Sequence, residues 1–499
     1  MTAPYSGPQT RRNIAAFLAG KVPTAILTAA VLGWSARALA PAEFGHYVVA
    51  MALLELVLGL SSFGLDWILL RFLPEYRLHG ARAALLRLVG TVAACRLLLL
   101  AALAAALLLA RPLLPNALPE PLAPVLAVLL VIEGGMRILR DNTLEALALQ
   151  SRMQAVTVLR GAVLLAALAL AGVHSARGLL LAELAASALA LLLSAACIGH
   201  ALRRLPALPA AGWQAPSAAQ MRAVALHNYA SGIVEYLYSP SCLLLLLARS
   251  QSPQAMAGLG FVLRLTDIIR NYLPGMVIFS VVRSRMIGAY AGSRDYGELQ
   301  RWAHFVFKVS ALSLLPVLAV ALVYGDLVLR LASGGRFAEY RLLLAVLCGW
   351  LALRLHRLVL NVVCNAVGLM GMWALASLCS LVVLPLLAWL GAAPLGLWLV
   401  PAALLGNEVV VNGLVVAGMA RRGYAWPLGG RWWARALPAL AAAAAVGWLL
   451  RGDSMAAAAL GTLLLCAVFA VALILSGAID ARDRQLINRV LGRQWLREA

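Results

Sequence analysis

The chain is 499 residues long, 63% hydrophobic and only 12% charged, with a mean hydropathy of +0.90. A soluble chain carries about twice that charge and roughly 45–50% apolar residues, so a water-soluble enzyme is excluded and a polytopic helical membrane protein is expected. The net charge of +21 does not call for nucleic acid, because arginines gathered in cytoplasmic loops make membrane proteins basic.

Apolar runs of about 20 residues, enough to cross a hydrocarbon core roughly 30 Å thick, recur along the whole sequence. In chain order they predict fourteen transmembrane helices near 12–39, 45–73, 84–110, 119–149, 153–173, 177–199, 221–248, 254–282, 302–324, 338–368, 370–391, 394–419, 434–450 and 455–477. Twelve remain possible if the last two runs are re-entrant. "SARALA", Ser35 to Ala40, has the small-residue pattern of a signal-peptide cleavage site. An internal repeat requires the first span as a structural member, so cleavage there is rejected.

With a cytoplasmic N-terminus, one set of loops collects Arg71, Arg77, Arg82, Arg152, Arg203, Arg204, Arg283, Arg285, Arg421 and Arg422 among others, while the opposite set holds little beyond Arg37, Arg111, Arg177, Arg249, Arg330, Arg336 and Arg451. This bias places both termini in the cytoplasm and supports an even number of spans. The tail "DARDRQLINRVLGRQWLREA" sets apolar residues opposite arginines and is expected to lie as an amphipathic helix at the membrane surface. A solvated tail is the alternative. The seven cysteines are scattered through apolar segments without a CxxC, and are expected to be small core residues, neither disulfides nor metal ligands.

Two matches suggest duplication. Arg137-x-x-Arg140 in the fourth span recurs as Arg354-x-x-Arg357 in the tenth, 217 positions on (354 − 137). Pro41 to Glu55 in the second span aligns with Pro253 to Asp267 in the eighth, 212 positions on (253 − 41), each opened by proline and closed by a carboxylate. Spans 1–6 and 7–12 therefore look like parallel copies of one six-helix unit. The expected organisation is an N-lobe at 1–200, a cytoplasmic linker at 201–220, a C-lobe at 221–420, two further helices at 421–477 and a tail at 478–499.

The intramembrane charges sit on these repeats. In "GGMRILRDNTLEAL", Arg137, Arg140, Asp141 and Glu145 fall at i, i+3, i+4 and i+8, one stripe of an α-helix. Arg354, Arg357, Asn361 and Asn365 line the tenth span, and Arg264, Asp267 and Arg270 the eighth. Glu55 and Asp66 occupy the second span, Lys21 the first, Glu235 the seventh. A charge at a helix centre costs about 2.5–3.5 kcal/mol even on a mild insertion scale, so these groups must face one another or a wet cavity. Internal ion pairs that glue the bundle are one reading. The excess of arginine over carboxylate favours another, an anion-binding cavity between two lobes, since the planar guanidinium fork suits phosphate.

"RNIAAFLAGKV", the "ARALAPAEFGHY" junction at Ala36 to Tyr47 and "FGLD" at Phe63 to Asp66 resemble the opening of the bacterial polysaccharide-transporter (Wzx-like) flippases of the multidrug/oligosaccharidyl-lipid/polysaccharide (MOP) exporter superfamily. The resemblance implies an all-α integral membrane protein of MOP/MATE-like fold that carries polyprenyl-diphosphate-linked oligosaccharide from the cytoplasmic to the periplasmic leaflet of the inner membrane by alternating access. Two departures are visible. The GFxRD-type motif of lipid II flippases is missing from span 1, and Lys21 stands in the span where multidrug members carry an acid.

On this reading Lys21, Arg137, Arg140, Arg264, Arg270, Arg354 and Arg357, with Asn361 and Asn365, bind the diphosphate. Arg264 and Arg270 are alternatively neutralised by Asp267. Glu55, Asp66, Asp141, Glu145 and Asp267 are candidates for coupling to H+, Na+ or the membrane potential, with static pairing to the arginines equally open. No metal, cofactor or catalytic group is expected. Expected partners are the lipid-linked glycan, the bilayer, and a polysaccharide polymerase with its chain-length proteins. An integral enzyme of the same pathway is the rival, but it would need a large loop or a DxD-bearing domain, and no GxxxxGK[ST] supports ATP hydrolysis.

Overall fold

A computed structural model describes residues 7–79, 82–109, 119–203, 213–273, 290, 295–389, 395–427, 430–452, 454–478 and 483. Among them there are helices and no strand. Within the described residues each expected span overlaps helix, and the count of fourteen membrane crossings is not confirmed. Ten helical segments among the described residues are long and apolar enough to cross, and a pair bent by 43° makes an eleventh. Two compact units divide the chain, Met1–Phe261 and Val262–Ala499.

The first unit holds α1 (Gly7–Ala38), α2 (Pro41–Leu60), α3 (Leu65–His79), α4 (Arg82–Leu109), α5 (Ala123–Arg137), α6 (Gln150–Leu170), α7 (Ala176–Leu202), α8 (Ala218–Leu237) and α9 (Pro240–Leu247). It also takes the start of α10 (Pro253–Tyr272), inside which the division falls. Of the stretch expected as a linker, residues 204–212 lie outside those described, and α8 opens with a Ser217–Gln220 capping box. Such a box satisfies two orphan N–H groups of the first turn. Prolines in the first turn start α2 and α9, where a missing N–H costs nothing. Glu43 on α2 accepts the Ala176 N–H at 2.7 Å and so ties α2 to the start of α7. In the interior, α5 packs against α4 and α7, and α1 runs along α6.

The expected second span, 45–73, is broken. Ser61 to Gly64 turn the chain between α2 and α3, with Phe63 at φ 42° and Gly64 at φ 72°. A Cβ on Gly64 would lie 2.0 Å from the Ala225 carbonyl oxygen of α8. Glycine is therefore required both by the left-handed backbone and by the close approach. Gly64→Ala is expected to cost about 2 kcal/mol or more, read as a lower Tm of the purified protein; an unchanged Tm would mean that α8 does not sit here.

The second unit holds the end of α10, then α11 (Tyr296–Ser333), α12 (Arg341–Ala366), α13 (Met370–Cys379), α14 (Val383–Trp389), α15 (Leu399–Arg421), α16 (Gly430–Leu449) and α17 (Met455–Leu475). Asp295 caps α11, and Gly334, at φ 73°, ends it. α12 packs between α11 and α15 over a core that includes Phe307, Leu360, Val363, Val411 and Trp432. Lys308 is buried and bonds Asp483, the one described residue beyond α17 and the turn that ends it; the expected amphipathic tail otherwise lies outside the described residues. Pro316 leaves α11 continuous, whereas Pro385 follows a 3₁₀ turn at Ser380–Val382. The cysteines are all unpaired, but only Cys348 and Cys364 are buried, while Cys95, Cys379 and Cys466 are exposed. A thiol is apolar enough to face lipid as well as core.

Candidate functional site

The ionisable groups of the first unit form a chain of contacts across four helices. Arg137 on α5 grips Glu55 of α2 with both guanidinium ends, at 2.8 and 2.6 Å, while its Nε donates to Glu133 at 3.1 Å. Glu133 also accepts from Ser187 of α7 at 2.7 Å and lies 3.4 Å from Arg160 of α6. Arg160 pairs with Glu183 of α7 at 2.8 Å, and Tyr47 of α2 donates to the other oxygen of that carboxylate at 3.1 Å. Glu133 and Glu183 are buried. Each member would be costly in hydrocarbon alone; mutual satisfaction is what makes them tolerable.

The stripe expected of "RILRDNTLEAL" is split. After Arg137 the helix widens into a π-helix from Ile138 to Leu144, with Thr143 Oγ1 donating back to the Ile138 carbonyl five residues earlier at 2.9 Å. The extra residue per turn rotates the downstream side chains away from the face set by Arg137. Arg140 consequently turns onto its neighbour Asp141 at 2.7 and 3.0 Å, Asn142 donates to Asp66 of α3 at 2.8 Å, and Glu145 is exposed. A 3.6-residue period cannot foresee such a slip.

A cavity of about 180 Å³ opens beside this network, lined by Glu55, Asp66, Arg96, Arg137 and Tyr236 together with Leu58, Gly59, Gly134 and Ile138. Arg96 of α4 is only 4% exposed. Its Nη2 donates to the Leu58 carbonyl, while Nε and Nη1 have no hydrogen-bond partner.

In the second unit Arg354 and Arg357 of α12 both reach Glu408 Oε1 of α15, at 3.2 and 3.6 Å. Arg357 is buried with its guanidinium over the Trp373 ring, whereas the Arg354 side chain is one-third exposed. Beside them on α12, His356 is held by Trp426, whose indole N–H donates to its Nε2 at 2.9 Å, and by Asn412 at 3.2 Å. Asn361 is half-buried and Asn365 exposed. On α10, Arg270 pairs with Asp267 at 3.2 Å; among the described residues Arg264 makes no ion pair. Lys21 is half-buried on α1.

Arg137, Arg354 and Arg357 thus have carboxylate partners that the repeat does not reveal. Arg160, Glu183, Arg96 and Glu408 sit in apolar runs and Glu133 lies one helical turn before Arg137, and the rule that an intramembrane charge marks a site applies to them as well. The partnership of Arg354 with Glu408 links residues 54 positions apart, which spacing on one helix cannot show.

Many apolar helices with their charges turned inward define a multi-pass membrane protein, and its fold is that of the MOP transporters. The structure of "Lipid II flippase MurJ, inward closed conformation" aligns with TM-score 0.66 at 11% identity, over 96% of this chain and 99% of that one. A multidrug resistance MATE family transporter of the MOP superfamily, in an inward-facing conformation, aligns with TM-score 0.59 at 15% identity, over 82% and 98%. The MATE multidrug transporter DinF-BH gives 0.56 at 16%, over 84% and 97%. Residues 35–341, well over half of the chain, match the family described as "Polysaccharide biosynthesis protein", and the chain belongs to that family. No curated protein matches the sequence.

Proposed function

We propose that this protein moves a polyprenyl-diphosphate-linked oligosaccharide from the cytoplasmic to the periplasmic leaflet of a bacterial inner membrane by alternating access, for assembly of a surface polysaccharide. One observation carries the reading beyond the family. From residue 341 to 421 the chain holds Arg341, Arg354, Arg357 and Arg421 against the single acid Glu408, and both mid-helix guanidiniums turn to that one carboxylate. A positive balance in a low-dielectric setting favours an anion, and paired guanidiniums suit a diphosphate.

The anion-binding role falls to Arg354 and Arg357, with Arg264 adding positive charge and Asn361 and Asn365 polar contacts. In the first unit Arg137 is engaged by two carboxylates and Arg140 by Asp141, which suits them to hold helices together. Glu55 and Asp267 remain the groups proposed for coupling to H+, Na+ or the membrane potential; substrate shifts the conformational balance only if the two orientations bind it unequally. Both termini are assigned to the cytoplasm, and no chemical step is assigned to the protein. Titration of the purified protein with polyprenyl diphosphate tests the reading. Saturable binding that Arg357→Gln weakens at least tenfold is expected, and absence of binding to the unmodified protein would reject it.

A further inference from the structure

The cavity in the first unit differs from the arginine pair of the second unit in its charge balance. Glu55 and Asp66 are matched by Arg96 and Arg137 among its lining residues, so no net charge invites an anion. Arg137 is spent on Glu55 and Glu133. Arg96 and Asp66 are different. They line the same cavity without forming an ion pair, two of the Arg96 nitrogens are unbonded, and Asp66 is held in place by Asn142. Buried guanidinium N–H groups rarely stay unsatisfied.

A ligand that meets both groups must accept from the guanidinium and donate to the carboxylate. A hydroxyl does both. A phosphate, by contrast, would bring its charge against Asp66 and Glu55. The Tyr236 ring lies against Gly59, where a Cβ would come within 2.5 Å of it, and it adds an apolar face of the kind a pyranose packs on. The cavity's volume of about 180 Å³ is large enough to admit a sugar ring.

We propose that this cavity is a subsite for one neutral sugar residue, held through its hydroxyls by Asp66 and Arg96 and packed on Tyr236. The inference rests on the lipid-linked saccharide reading above and names the part of the substrate that the first unit recognises.

Saturation-transfer NMR on the full chain in nanodiscs tests it, with methyl glycosides of glucose, galactose and N-acetylglucosamine as probes and inorganic pyrophosphate as a second arm. D66N and Y236L are the variants, because both leave the bond from Arg96 to the Leu58 carbonyl in place. At least one glycoside is expected to bind, with affinity about tenfold lower in each variant, as for loss of a hydrogen bond to a charged group, and with pyrophosphate binding unchanged. Three results would overturn the subsite: no glycoside binds, both variants bind glycoside as the parent does, or D66N alters pyrophosphate affinity. The two readings fail separately. Glycoside binding without any pyrophosphate binding would count against the diphosphate reading and leave this cavity's assignment intact.

Discussion

Arg354→Ala is expected to abolish transfer of lipid-linked saccharide while leaving the protein inserted, folded and close to its original Tm. The side chain is one-third exposed, and Glu408 keeps its buried partner Arg357 when Arg354 is removed. What is lost is a guanidinium that the proposed function assigns to the diphosphate. Each charge-assisted hydrogen bond contributes about 1.5–3 kcal/mol, so losing a bidentate contact weakens binding by about a hundredfold or more. Arg354→Lys keeps the charge but not the fork and is expected to fall between the two. Normal polymer export from cells carrying Arg354→Ala, at equal protein level, would remove this residue from the site.

The second large effect concerns stability. Arg160→Met is expected to destabilise the first unit by about 3–5 kcal/mol, the usual consequence of stripping one partner from a buried ion pair. Glu183 would keep only Tyr47, and Glu133 would share Arg137 with Glu55. A fall in Tm on the order of 10 °C is the corresponding thermal shift. The double replacement Arg160→Met with Glu183→Gln removes the stranded charge and should recover part of the loss, so the two effects will not add. A single replacement without thermal effect, or a double one as poor as the sum, would show that these side chains do not meet.

The helices were legible because apolar runs of membrane length leave little freedom: lipid offers backbone groups no partner, so each run must satisfy its own hydrogen bonds. The location of charge was legible for the same energetic reason. Its pairing was not. The stripe read from Arg137 to Glu145 assumed an unbroken α-helix, and the π-helix at Ile138–Leu144 turned Arg140 onto Asp141 and left Glu145 exposed. The break after α2 depends on Gly64 meeting Ala225, residues far apart in sequence, although "SSFG" carries a turn signal. The repeated Arg-x-x-Arg drew attention to Arg137 and Arg354 in equal measure. Their surroundings differ: Arg137 meets two carboxylates, whereas Arg354 and Arg357 together meet Glu408. Only the packing of α2 on α5 and of α15 on α12 makes that distinction.

The most direct measurement uses vesicles that contain the full chain and a fluorescent polyprenyl-diphosphate oligosaccharide in both leaflets, with a membrane-impermeant quencher added outside. With the unmodified protein, quenching should pass the half expected of a static bilayer and approach completion, whereas with Arg354→Ala it should stop at half. Quenching that halts at half in both preparations, or runs to completion in both, would contradict transfer through this arginine pair.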